Sequence, residues 1–239
     1  MTNLNQVPGS GVASYFDLSD ERAASLLGGV DAVWELIPKI PELVRRMTGG
    51  KRSIPRSIPR TVEIADGDIF IEEGATIEPG VYIGGSAYIA AGATLRHGAY
   101  IREHCILLEG SLLGHASEAK SAVLLGGAKA PHFAYLGDSI LGHRVNLGAG
   151  TKLSNAAITR RSNPTIKWRI DGREFDTGLR KFGAIVGDDT EIGCNAVLNP
   201  GTMVGMRCLI YPGAVVLKGI HPSDVVLKFR QDQETVPRV

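Results

Sequence analysis

Between Ile71 and Leu113 an aliphatic residue recurs at every sixth position: Ile71, Ile77, Ile83, Ile89, Leu95, Ile101, Leu107 and Leu113. The count holds again from Val186 through Ile192, Leu198, Val204, Ile210 and Val216. Two positions ahead of these run small or compact residues: Ala75, Val81, Ala87, Ala93, Ala99, Cys105 and Ser111, then Thr190, Ala196, Thr202, Cys208 and Ala214. Glycine often stands one position earlier still, as at Gly74, Gly80, Gly92, Gly98 and Gly110. A period of six suits neither the helical repeat of about 3.6 nor the strand repeat of about 2. It suits short strands joined by tight turns, with one aliphatic side chain per six directed inward. Such coils bury little alone and must stack.

The pattern predicts an all-β solenoid, a left-handed parallel β-helix of hexapeptide repeats over about residues 61–220, with three hexads to a coil. Two interruptions matter. From Leu113 to Leu141 the phase slips by four residues, then resumes through Leu147 and Leu153. Over residues 154–183 it stops. That excursion contains Ile166-Lys-Trp-Arg-Ile170-Asp-Gly-Arg-Glu-Phe175, two alternating runs about Asp171-Gly172, which reads as a β-hairpin. Long excursions from a rigid scaffold are where binding residues collect.

Residues 1–60 carry no hexads. A short helix is expected from Asp20-Glu21 to about Gly28, capped by Ser19, and a second helical stretch from Asp31, interrupted by Pro38 and Pro41. Ser53-Ile-Pro-Arg-Ser-Ile-Pro-Arg60 reads as a stiff linker. This segment serves either as an end cap over the first coil or as a lid or oligomer clasp. Residues 221–239 form a tail.

Composition narrows the class. Lys and Arg number 26 against 25 Asp and Glu, so no global charge points to nucleic acid or a membrane surface. The 30 glycines and 6% aromatics suit a fold rich in turns with a core of small and branched side chains. The 3 cysteines have no metal-type spacing, and neither a secretory signal nor an apolar span is visible, so a cytoplasmic protein is expected.

Among candidate chemical groups, His132 lies inside the phase slip, preceded by Glu118 and Lys120 and followed by Asn146. A histidine beside a carboxylate can be held in one tautomer as a general base. Arg102 and Lys120 are eighteen residues apart, which in a coil of three hexads stacks them one coil above the other. Stacked cations form an anion site, with phosphate as the natural ligand, and Lys181 offers a third cation. Cys105 and Cys208 read as core fillers, and nothing beside Cys194 makes it a nucleophile.

The stretch His132-Phe-Ala-Tyr135-Leu-Gly-Asp138, then Val145-Asn146-Leu-Gly-Ala-Gly150-Thr151, then Asn155, resembles the acetyltransferase domain of the bifunctional glucosamine-1-phosphate acetyltransferase/N-acetylglucosamine-1-phosphate uridylyltransferase family. Asp176-Thr-Gly-Leu-Arg-Lys181-Phe-Gly183 resembles its sugar-phosphate nucleotidyltransferase-like branch. The resemblance covers about residues 61–220. It implies acetyl transfer from acetyl-CoA, without a metal, to an amino-sugar 1-phosphate on the route to UDP-N-acetylglucosamine and cell-wall precursors. His132 would be the general base, with Glu118 orienting it. Arg102, Lys120 and Lys181, helped by Tyr135, would hold the phosphate. Asn146 and Asn155 would contact the sugar, one of them across the boundary of a homotrimer. Cys194, where serine is common, with Pro212, Lys218 and Arg230, would line the acetyl-CoA groove.

No glycine-rich nucleotide loop occupies the first sixty residues, so uridylyl transfer is not expected and a separate nucleotidyltransferase is the implied partner. The competing readings are an acyltransferase on another amino sugar or nucleotide sugar, and a non-catalytic trimeric scaffold. A hydratase with zinc histidines at trimer edges would need a close His-x₄-His pair, which this sequence lacks.

Overall fold

The computed structural model describes residues 9–159, 161, 164–170 and 172–230. From Glu63 to Leu227 the chain winds as a three-sided parallel β-helix. In chain order each coil adds a strand to face one (first strand Glu63–Ile64), face two (first strand Ile69–Ile71) and face three (first strand Thr76–Ile77). Pairing between coils is parallel: Ile83 lies opposite Ile101, Ile89 opposite Leu107, and Leu95 opposite Leu113. All the aliphatics in the six-residue register are at most 5% exposed and share one core, with Cys105 and Cys208 among them as fillers.

The four-residue phase slip resolves into two single-residue deletions. Ala119 to Leu124, and Leu136 to Leu141, are inward positions only five residues apart, in successive coils. Both deletions fall at the corner between faces one and two. There the chain does not break into two strands but runs on as Glu118–Leu124 and Tyr135–Leu141. The shortened turn is closed by one left-handed residue in each coil, Ser121 and Asp138, both at φ 46°. Left-handed backbone is rare outside glycine, although aspartate tolerates it better than most.

Face two is apolar on both sides. Alternation turns the middle residue of each strand outward, yet Tyr88, Ile106, Val123, Ile140, Ile185 and Met203 are buried. The N-terminal segment covers them, packing Tyr15, Phe16, Leu26, Trp34, Leu36 and Ile40 into the same cluster. It consists of α1 (Glu21–Leu27), a 3₁₀ stretch (Val33–Lys39) and α2 (Ile40–Thr48), the last lying against the strands Ala87–Ile89, Cys105–Leu107 and Glu118–Leu124. The cap of α1 is Asp20, not Ser19: its carboxylate accepts the Arg22 N–H at 2.9 Å. Pro41 opens α2 rather than interrupting it, because a first-turn residue has no N–H partner to lose.

The helical part of residues 1–60 therefore lies along a side of the solenoid instead of over its end. The end is closed by the linker. Ser53 exchanges backbone hydrogen bonds with Ile69 and Ile71, while Ile54, Ile58 and Val62 pack onto the first coil. At the other end the strand Val226–Leu227 pairs with Leu209–Ile210, so the coils continue past the boundary expected at residue 220. Of the tail, residues 231–239 lie outside the described residues.

The excursion carries the antiparallel strands Lys167–Ile170 and Arg173–Asp176, with Trp168 opposite Phe175; Asp171 of the Asp-Gly turn lies outside the described residues. The hairpin turns Trp168 and Phe175 into the covered cluster. Trp168 meets Trp34 edge-on at 4.9 Å, and its indole N–H donates to the Gly201 carbonyl at 2.8 Å. Cover and hairpin are thus one apolar layer on face two.

Candidate active site

The corner between faces one and two carries a polar cluster built coil by coil. Ile101 pairs with Ala119, which sets Arg102 one coil from Lys120, and Lys120 in turn pairs with Gly137. The Lys120 ammonium, only 13% exposed, lies 3.5 Å from Asp138, 3.4 Å from Glu103 and 3.3 Å from the Ser121 hydroxyl. Asp138 also accepts a hydrogen bond from the Asn155 side-chain nitrogen, and the Tyr135 hydroxyl donates to the Asn155 side-chain oxygen at 3.4 Å. Burial, then the nearby Glu118 and Asp138 carboxylates, push the Tyr135 phenol above its ordinary range, so it remains a donor at neutral pH. The excursion leaves from this same corner.

Outward positions of face one stack Tyr100, Glu118, Tyr135, Lys152 and Val197 in register. Beside them opens a cleft of about 470 Å³ lined by Glu118, Phe133, Tyr135, Lys152 and Ser154. Glu118, expected to orient His132, is instead paired with Arg102 at 3.0 Å. His132 is exposed at the end of the face-three strand Lys129–His132, three residues before Tyr135, and its ring makes no hydrogen bond among the described residues.

Other expected site residues are dispersed. Asn146 looks outward from face three, opposite Lys129 and Glu191, and so shares no face with Asn155. Lys181 is exposed and lines a separate cleft of about 720 Å³ with Ala156, Pro164 and Arg180. Cys194 and Pro212 lie in successive coils at the corner between faces three and one, joined through the Gly213 N–H to the Cys194 carbonyl at 2.8 Å. Lys218 lines a third cleft, about 510 Å³, with Ser154, Ile158, Ile166, Asn199, Pro200 and Leu217. The strip of face one between Cys194 and Lys218 presents Val197 and the exposed Val215. Arg230 is exposed beyond the last strand.

Glu103 and Ser121 were not singled out in the sequence, and Asp138 stood there only as the last residue of the His132 motif, without a role. Their signal was the slip itself, since a shortened corner concentrates side chains from three coils. Gly137 shows how tight that corner is: a Cβ there would stand 2.6 Å from the Asn155 nitrogen and 2.7 Å from the Tyr135 hydroxyl. Gly137→Ala is expected to destabilise by about 1–3 kcal/mol, as overpacking does, with the midpoint of chemical denaturation as the readout. An unchanged midpoint would mean that both side chains turn aside freely.

Comparison with known proteins finds similarity to one family model and to several longer proteins. The family described as bacterial transferase hexapeptide (six repeats) matches residues 183–218. A bifunctional sugar-1-phosphate nucleotidylyltransferase/acetyltransferase from Sulfurisphaera tokodaii is 37% identical over 64% of this chain and 38% of its own length. The bifunctional protein GlmU of Methanococcus maripaludis is 43% identical over 68% of this chain and 38% of its own length. The chain thus spans well under half of these relatives. Among solved structures, the acetyltransferase domain of PglB from Neisseria gonorrhoeae, in complex with acetyl coenzyme A, aligns over 70% of this chain and 53% of that one, at 18% identity and a TM-score of 0.29.

Proposed function

We propose that this hexapeptide-repeat protein, a relative of bifunctional sugar-1-phosphate nucleotidylyltransferase/acetyltransferases, is an acetyl-CoA-dependent N-acetyltransferase acting on an amino-sugar 1-phosphate. The observation that carries the reading is the corner cluster. It sets Arg102 and Lys120 in adjacent coils beside Tyr135, Asn155 and an open cleft.

Both cations already face carboxylates, so a phosphate must compete for them. The Arg102–Glu118 pair is 41% and 33% exposed, and such pairs contribute about 0–1 kcal/mol. A charge-assisted phosphate contact contributes about 1.5–3 kcal/mol. Phosphate therefore wins at Arg102, and its arrival frees Glu118 for the amine or for His132. Lys120, more buried, keeps Asp138 and exchanges the exposed Glu103 for the phosphate.

With the phosphate held, the sugar amine lies toward the cleft. His132 takes the amine proton as the nitrogen attacks the acetyl carbonyl; the N–C bond forms, the C–S bond breaks, and the thiolate leaves as coenzyme A. The apolar strip of Val197 and Val215, flanked by Cys194, Pro212 and Lys218, suits the uncharged arm of the thioester, with Lys218 and Arg230 toward its phosphates. Asn146, on the third face, would meet the same sugar from a second copy, in a homotrimer with sites between subunits. Sedimentation analysis should give three chains per particle; a monomer at working concentration would exclude shared sites.

The test of activity is steady-state turnover with acetyl-CoA and a panel of amino-sugar phosphates and nucleotide amino sugars. Arg102→Ala and Lys120→Ala should each lose roughly ten- to a hundredfold in kcat/KM for the sugar phosphate, from the contact energy above. Lys181→Ala, in the neighbouring cleft, should lose less. Unchanged sugar-phosphate kinetics in the Arg102 and Lys120 variants would leave the ladder a solvated face.

A further inference from the structure

We propose that Asp138 is a positioning residue that fixes the Asn155 amide and the Lys120 ammonium relative to each other and to the bound sugar. This rests on the acetyl-transfer reading above and adds to it a residue that touches neither reacting atom.

Asp138 is 8% exposed and both of its oxygens are engaged, one toward Lys120 at 3.5 Å, the other accepting from Asn155. An ionised carboxylate only accepts, so the amide must present its nitrogen to Asp138. The amide oxygen is left toward the Tyr135 hydroxyl, and Tyr135 lines the cleft. Asn155 is thereby set to receive a donor, a sugar hydroxyl or an amine, rather than to offer one at that side. Asp138 also ties down the root of the excursion. Its carbonyl accepts from the Gly183 N–H at 2.9 Å, while the Asn155 carbonyl accepts from Phe182 at 3.0 Å. Asn155 and Gly183, at the two ends of the excursion, are thus anchored on one left-handed residue at a corner shortened by deletion. Glu103 also meets Lys120, at 3.4 Å, but among the described residues Asp138 alone contacts both Lys120 and Asn155.

Asp138→Asn keeps the size, and asparagine tolerates the left-handed backbone, so the fold should persist. An amide at 138 offers one donor side and one acceptor side. Either it turns a donor toward the Lys120 ammonium, or it turns a donor toward the Asn155 nitrogen and forces that amide to flip. Under the proposal, KM for the amino-sugar phosphate rises roughly ten- to a hundredfold, the size of one charge-assisted contact, while KM for acetyl-CoA stays within about twofold. With Asn155→Ala added, the double variant should lose less than the product of the two single losses, as coupled residues do. An unchanged sugar-phosphate KM in Asp138→Asn, or losses that simply multiply, would overturn the proposal. A wild-type chain inert toward the whole panel would instead overturn the activity. Positioning is then decided by NMR of the Asn155 side-chain amide: the proposal requires its proton signals to shift and exchange faster in Asp138→Asn, and unchanged signals refute it.

Discussion

His132→Ala is expected to lose about 10²–10⁴ in turnover, the usual contribution of a general base, and to stay folded. A sugar amine is largely protonated near neutral pH, and only the neutral amine attacks a thioester. The proton must go to a side chain that can act as general base, and histidine is the commonest of these. His132 is exposed and its ring makes no hydrogen bond among the described residues. Its removal therefore leaves no buried partner unsatisfied and no cavity, and surface changes of that kind alter stability by about 0.5 kcal/mol or less. A large loss of turnover with an unchanged melting curve is the signature of a chemical role. Binding of acetyl-CoA should survive, because Cys194, Pro212 and Lys218 lie in later coils. Near-normal turnover in the folded variant would dismiss His132 as the base. Trapping an acetylated protein in the absence of sugar would dismiss direct attack.

Trp34→Ala should cost about 3–5 kcal/mol, the range for deleting a large buried aromatic. Trp34 is 1% exposed and packs edge-on against Trp168, where the N-terminal cover meets the hairpin of the excursion. The interior column of the solenoid is a separate cluster from the one Trp34 belongs to. Loss should therefore be uneven. Hydrogen exchange should accelerate first in α1, α2 and the hairpin, while amides of the inward strands on faces one and three keep their protection, as expected where stability is distributed in local units. Equal acceleration throughout would make cover and coils a single cooperative unit. Because the hairpin belongs to the excursion that roots at Asn155 and Gly183, the same variant should also weaken sugar-phosphate binding.

The coil is legible in the residue pattern alone. Burial in a solenoid is local and repeated, so Ile71 to Leu113 and Val186 to Val216 specify their environment six residues at a time, whatever lies elsewhere. The same regularity made Arg102 and Lys120 neighbours on paper, because a fixed coil length turns sequence spacing into distance. The hairpin was legible for the same reason: its alternation is a local pattern. The cover's landing site is written there too. Tyr88, Ile106, Val123 and Ile140, then Ile185 and Met203 beyond the excursion, repeat at coil spacing one position before an inward aliphatic, and an outward apolar column needs something over it.

Tertiary structure decided what local pattern does not encode. A phase slip of four and a loss of two are the same shift in a period of six, and only the backbone shows two single deletions at one corner, closed by Ser121 and Asp138. Glu118 faces Arg102 rather than His132, because neighbours in adjacent coils are chosen by register and rotamer across the corner, not by separation along the chain. Lys181 and Asn146 stand apart from the cluster because the excursion and the third face carry them away from it, and no spacing rule follows a chain around a corner or through a thirty-residue departure.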